Sequence, residues 1–405
     1  MPDRYFFSAL QGRKLHLGVC GSVAAYKAVE LMRALQKCGV AVSVTLTEAG
    51  ARFIPPLAFE SLGAEAVYTH MFSREGNSTF DHLLPGHIAD AFMIAPATAA
   101  TLARLATGMA DELLAAQVLA FAGPLVLAPA MNPRMWSNAV TQNNIHMLEQ
   151  RGASIVPPVS GKVACGDSGQ GKLAALYDLI VAAAKALLPQ DMLGKSILLT
   201  LGPTREQWDA VRVWTNLSTG LMGACLAHAA YLRGASVYAL AGPGVPVLPA
   251  GVSRYDVISA HEMFEKALEL WPKADFGIFT AAVADFYPEP FGAAKFKKDS
   301  DGAELHIRFL PNPDILARLA AEAHPGQRIL AFAAETDNLA WRSREKMLRK
   351  KAHMIAGNLI CAPDSGFALS TNRMFVCDKT GREEEWPTLP KADVAWRLLD
   401  WLLTL

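Results

Sequence analysis

The chain has 405 residues, 52% of them apolar and 19% charged, and its Lys plus Arg total equals its Asp plus Glu total at 38 each. That length exceeds what one hydrophobic core usually serves, so two domains are expected, and the composition is that of a globular chain rather than a disordered one. Zero net charge removes any general pull toward nucleic acid or an anionic membrane.

Residues 1–14 carry charges and aromatics but no long apolar core, which argues against a signal peptide. The longest apolar stretch, 113–131, is broken by Gln117, Gly123 and Pro124 and reads as helix then strand, not as a membrane span. The cysteines, at 20, 38, 165, 225, 361 and 377, form no C-x-x-C pair. A zinc site or disulfide framework is therefore not expected, and a reducing cytoplasm is.

In chain order, 14–20 reads as a strand, 24–38 as a helix ended by Gly39, and 40–45 as a second strand. Short apolar runs at 91–95 and 125–128 read as strands buried on both faces, with helices 99–105 and 141–151 between or after them. Alternation of this kind predicts a parallel sheet with helices on both faces. The pattern lapses at 187–191, around Pro189, and the domains are expected at 1–189 and 190–405. The rhythm then repeats: strand 196–201, a Gly-Pro turn, helix 221–233, strand 235–240, and later strands 274–280, 329–333 and 354–356. The predicted fold class is α/β, two doubly wound parallel-sheet domains, with ligands at the C-terminal ends of the strands.

The first strand runs into Gly18-Val19-Cys20-Gly21-Ser22-Val23, a Gly/Ser turn entering a helix, whose free N–H groups suit a phosphate. Alone this signal is weak, because many α/β domains turn on Gly without binding anything. Three strings add to it: Ala95-Pro96-Ala97-Thr98; Pro129-Ala130-Met131-Asn132-Pro133-Arg134-Met135-Trp136; and Ala164-Cys165-Gly166-Asp167-Ser168-Gly169-Gln170-Gly171-Lys172. In this order they resemble the flavoprotein family that decarboxylates C-terminal or conjugated cysteines, phosphopantothenoylcysteine decarboxylases above all.

The resemblance implies a flavodoxin-like flavoprotein domain holding FMN near Gly21, Ser22, Thr45, Ala97 and Thr98. The flavin would oxidise the substrate thiol, the neighbouring carboxylate would leave, and the flavin would return the electrons. Asn132 would hold that carboxylate without a competing charge, Met131 would contact substrate, and Cys165 would be the proton donor for the reduction. Outside the motifs, Asn132 reads as a turn cap and Cys165 as a buried inert thiol. The family also carries a catalytic His in a G-H-I-x-L string. Gly86-His87-Ile88 is the tempting match, but counting back from the 95–98 string places the residue at His82, in Asp81-His82-Leu83-Leu84, whose context departs from the family string.

In the second half, Gly202-Pro203-Thr204-Arg205-Glu206 follows a strand, and Thr215-Asn216-Leu217-Ser218-Thr219-Gly220 opens a helix with groups suited to an anion. Ala281-Ala282-Val283-Ala284-Asp285, Lys295-Phe296-Lys297-Lys298, Asn312-Pro313-Asp314-Ile315 and Phe332-Ala333-Ala334-Glu335 follow. This set resembles phosphopantothenate–cysteine ligase, commonly fused behind the decarboxylase in bacteria.

The resemblance implies Mg²⁺-dependent activation of 4′-phosphopantothenate by CTP and attack by cysteine. Lys295 would be indispensable and Asn216 would handle the acyl-cytidylate. Asp285 would serve metal or nucleotide. Ser218, Thr219, Gly220, Lys297, Lys298, Asn312, Asp314, Ile315, Phe332, Lys346 and Lys350 would bind substrate or nucleotide. Taken by itself, the lysine cluster reads as a solvated basic loop. Three positions depart from the family: Leu221 stands for its usual lysine, and His353 and Leu359 for two acids.

The leading expectation is a bifunctional enzyme of coenzyme A biosynthesis acting on small molecules, in a homo-oligomer whose decarboxylase sites form between subunits. One alternative keeps the decarboxylase and leaves the second half a degenerate nucleotide-binding module. The other is a non-catalytic flavin-binding scaffold, which would have no chemical need for both Asn132 and Cys165.

Overall fold

A computed structural model describes residues 5–71, 80–162, 166–297, 304–359, 366 and 369–405. The chain divides into two compact units, Met1–Pro189 and Gln190–Leu405.

In the first unit, β1 (Lys14–Val19), β2 (Ala41–Leu46), β3 (Val67–Tyr68), β4 (Ala91–Ala97), β5 (Leu125–Pro129) and β6 (Ser154–Ile155) form one parallel sheet. Their spatial order is β3-β2-β1-β4-β5-β6. A parallel sheet covered on both faces needs strands without a polar side, and every residue of β4 and all but the first of β1 are buried. The covering helices show the matching stripe: Tyr26–Lys37 buries Ala28, Leu31, Met32 and Leu35, one face at helical spacing. Strand order reverses between β1 and β4, which opens a crevice at their C-terminal ends. A hairpin of β7 (Val159–Lys162) and β8 (Ser168–Lys172) follows.

The second unit begins with β9 (Ser196–Leu201), a small antiparallel pair β10 (Arg205–Gln207) and β11 (Val213–Thr215), then β12 (Ser236–Ala241), β13 (Ser253–Asp256) and β14 (Phe276–Phe279). A second small pair, β15 (Phe286–Pro288) and β16 (Phe309–Pro311), precedes β17 (Arg328–Glu335), β18 (Met354–Leu359), β19 (Thr371–Asp378) and β20 (Glu383–Pro390). The main sheet runs β13-β12-β9-β14-β17-β18-β19-β20. Its first six strands are parallel and repeat the order of the first unit, with the reversal between β9 and β14.

The antiparallel β19 and β20 extend this sheet beyond what the sequence suggests. The outer strand exposes Glu383 and Glu385 and buries Trp386, so it lacks the continuous apolar run that marked the inner strands, and its charges protect the edge. Among the described residues, no helix is long and apolar enough to cross a membrane.

Candidate functional site

The crevice of the first unit is built from three helix starts, each capped by a hydroxyl. Ser22 Oγ accepts from the Ala24 amide at 3.3 Å, Thr47 Oγ1 from Gly50 at 3.0 Å, and Thr98 Oγ1 from Thr101 at 3.3 Å. Gly21 lets the first turn press against the second helix: a Cβ there would lie 2.4 Å from that of Ala49. The starts converge on a cavity of about 600 Å³ whose wall includes Gly21, Ser22, Thr47, Thr98, Arg104 and Met131. The size suits a cofactor, and converging helix N-termini favour an anionic group. Beneath it Cys20 Sγ lies 3.2 Å from Thr101 Oγ1, and burial pushes this thiol up to about 11, so it stays neutral.

Asn132 follows β5 as the cap of helix Pro133–Trp136. Its Oδ1 accepts from the Arg134 amide at 2.8 Å, and its Nδ2 donates to Asp167 Oδ2 at 2.7 Å. Strand β8 runs along this turn: Met131 N donates to the Gly171 carbonyl at 2.9 Å, and a Cβ on Gly171 would meet Met131 O at 2.3 Å. Asp167 lies in the string that holds Cys165, and no local pattern announces its bond to Asn132, 35 residues away. Cys165 lies outside the described residues.

His82 sits half-buried in a turn closed by the Leu83 and Leu84 amides on the Phe80 carbonyl. His87 is exposed on helix Leu84–Ile88. Just after that helix, Asp90 bonds Lys14 at the opening end of β1, so the chain at His87 has already turned to the sheet edge opposite the crevice. Thr45 is fully buried inside β2, and its hydroxyl is engaged by His16 and Gln117. Thr47, just past the strand end, lines the cavity on that side. Ala97 is also fully buried and offers its carbonyl to the Ala130 amide.

In the second unit, the 281–285 loop after β14 is clasped from three sides. Asn216 Nδ2 donates to the carbonyls of Ala282 and Val283 at 3.1 and 3.2 Å. Asn312 Nδ2 donates to the Ala284 carbonyl at 2.8 Å, and the Ala284 amide donates to Thr204 Oγ1 at 3.2 Å. Ser218 and Thr219 accept from the Gly220 and Leu221 amides, ordering their own turn. That turn needs glycine, since Gly220 has φ +68° and packs on Gly202.

Lys346 Nζ donates to the Phe332 carbonyl at 2.9 Å, and burial lowers this ammonium, partly offset by Glu335. Asp314 caps helix Ile315–Glu322 and pairs with Lys350. Burial alone would raise its carboxyl, but the Lys350 hydrogen bond and the Ala317 amide bring it below its ordinary value. Ile315 packs in the core, so its side chain supports the turn from behind.

Lys295 and Lys297 are exposed, and Lys298 lies outside the described residues. Between the first two, Phe296 packs at a tilt against Trp208, with centroids 5.2 Å apart, and donates its amide to Asp209 Oδ2 at 3.0 Å. Asp209 is buried; burial opposes its charge, yet the Val211, Phe296 and Arg212 amides hold it below its usual range. This anchor carried no sequence signal, because its partners lie over eighty residues apart. The altered positions serve the fold: Leu221 is buried at its helix start, and His353 Nδ1 accepts from the Ile329 amide at 3.2 Å. Burial lowers His353 to about 4, leaving it neutral and able to accept that bond. Asp285 is exposed, and among the described residues no three His, Cys, Asp or Glu side chains cluster for a metal.

The Flavoprotein family model matches residues 8–188, and the model for the DNA/pantothenate metabolism flavoprotein C-terminal domain matches residues 192–405. Among curated relatives, the coenzyme A biosynthesis bifunctional protein of Vibrio vulnificus (strain YJ016) is 36% identical over 396 residues. Those of Bacillus subtilis (strain 168) and Escherichia coli (strain K12) are 36% identical over 400 and 398 residues, and each of the three alignments covers 98% of both chains.

Proposed function

Because the chain belongs to the family of coenzyme A biosynthesis bifunctional proteins, we propose that it makes 4′-phosphopantetheine in two steps. The second unit, 190–405, joins 4′-phosphopantothenate to cysteine, using CTP and Mg²⁺. The first unit, 1–189, decarboxylates the product with FMN.

The observation that carries this reading of the 1–189 unit is its crevice, where three capped helix starts surround a cavity of cofactor size with Met131 in its wall. The donor set fits FMN: hydroxyls of Ser22, Thr47 and Thr98 and amides of the glycine turn for the phosphate, with Arg104 nearby. When bound, the flavin supplies the redox chemistry that makes the cysteine carboxylate labile. The chain's own task is to hold that carboxylate through the Asn132 amide, which Asp167 orients. In this reading His82 is the acid–base group and Cys165 the proton donor.

In the second unit Asn216 and Asn312 fix the 281–285 loop, and Lys346 and Lys350 bring cations to the β17 side. Lys295 faces solvent beside an anchored phenylalanine, as a group that meets a phosphate must. Asp285 would offer a carboxylate to Mg²⁺. A decarboxylase with a second unit that binds nucleotide without turnover draws on Leu221, buried where the ligases carry a cation. The protein is read as a cytoplasmic homo-oligomer.

Each half is tested separately on the purified chain. Phosphopantothenate, cysteine, CTP and Mg²⁺ should yield pyrophosphate, and supplied phosphopantothenoylcysteine should yield carbon dioxide. Carbon dioxide without pyrophosphate would establish the second reading.

A further inference from the structure

The middle of the first unit contains polar side chains where packing alone calls for apolar ones. His16 on β1, Thr45 on β2 and Gln117 on helix Leu113–Leu119 are all 0% exposed. They form a continuous line. Ser43 Oγ lies 2.7 Å from His16 Nδ1, and His16 Nε2 lies 2.8 Å from Thr45 Oγ1. Thr45 Oγ1 donates to Gln117 Oε1 at 2.8 Å, and Gln117 Nε2 donates to the Asp81 carbonyl at 2.9 Å.

The direction of every bond follows from its last member. A carbonyl only accepts, so the Gln117 NH₂ must face Asp81 and its oxygen must face Thr45. Thr45 then donates forward and accepts from behind, which requires a proton on His16 Nε2. His16 Nδ1 is consequently bare and accepts from the Ser43 hydroxyl. The imidazole also packs against the Phe92 ring in a tilted contact, with centroids 4.7 Å apart. The ring is also kept neutral: burial lowers it to about 3.

A satisfied buried network of this kind adds little stability over well-packed apolar residues, but it allows one geometry only. The chain ends on the backbone of Asp81, and the next residue is His82.

We propose that His16, Thr45 and Gln117 are positioning residues for decarboxylation, setting the place of the His82 imidazole through the Asp81 carbonyl. The inference rests on the reading of His82 as the acid–base group of the first unit. It needs no contact between the three residues and substrate or flavin. Misplacement of a reacting group by about 1 Å can cost on the order of a hundredfold in rate, which is the scale of effect such a tether controls.

The test uses the full-length protein reconstituted with FMN and supplied phosphopantothenoylcysteine. Gln117→Met preserves length and packing while removing both polar ends. It should lower kcat about ten- to a hundredfold with KM and bound flavin per chain unchanged. Thr45→Val, isosteric but without the hydroxyl, should give the same split and serves as the second variant should Gln117→Met fold poorly. His82→Asn sets the floor, and adding Gln117→Met to it should cause no further loss, since the tether acts only through that ring. Wild-type kcat in both tether variants, or a loss carried by KM and flavin content, overturns the positioning role while leaving His82 in place. An active His82→Asn enzyme overturns the underlying reading and the tether with it.

Discussion

The Asn132 side-chain amide donates to the Asp167 carboxylate at 2.7 Å, while its carbonyl end accepts from the Arg134 amide. The two bonds fix which way the amide points. Asn132→Asp should therefore do more than remove a donor: it would set a second carboxylate against Asp167 where the substrate carboxylate must sit. Carbon dioxide release should fall at least about a hundredfold, on the scale of losing one catalytic hydrogen-bond donor, with flavin content unchanged by absorbance. Retained activity would remove Asn132 from the site.

The two histidines of the 80–88 segment separate cleanly. His82→Asn should abolish decarboxylation with FMN still bound, whereas His87→Asn, an exposed change beside the opening end of the sheet, should turn over like the parent. The reverse pattern in a carbon dioxide assay would show that the count back from the 95–98 string is misplaced.

Lys295→Gln should cut pyrophosphate formation about a hundredfold, the loss of a phosphate contact where charge is concentrated. Carbon dioxide release from supplied phosphopantothenoylcysteine should be unaltered in the same preparation. Equal loss of both products would mean that the substitution damages the fold rather than one site.

His16 gives the stability of the first unit a definite pH dependence. Its pKa is about 3 when buried and about 6.5 unfolded. Between those values the unfolded chain holds a proton that the folded chain does not. Its contribution is thus fully present above about pH 6.5 and is lost as pH falls toward 3, by up to about 1.4 kcal/mol per pH unit. Urea midpoints followed by flavin release should fall from pH 7.5 to pH 5, and His16→Leu should flatten that slope. A midpoint independent of pH would contradict the neutral buried ring.

The strands buried on both faces, β1, β4, β5 and β9, were legible because a parallel sheet leaves an unbroken apolar run. The outer hairpin β19–β20 was not, since one-sided strands mix Glu with Trp and resemble loop. Within the first site, the strings around Thr98 and Met131 marked a real cavity wall. Thr45 lies within β2 and Thr47 just past its end, and only Thr47 lines the cavity, a difference that sequence does not display. The His16–Gln117 line and the Asp209–Phe296 anchor join residues far apart in the chain, and no local pattern announces such pairs.

The most direct test of the whole account supplies purified protein with phosphopantothenate, carboxyl-labelled cysteine, CTP and Mg²⁺, and measures labelled carbon dioxide against pyrophosphate. The account requires label released one for one with pyrophosphate, and none when CTP is withheld. Pyrophosphate without labelled carbon dioxide, or neither product from a flavin-loaded chain, would contradict it.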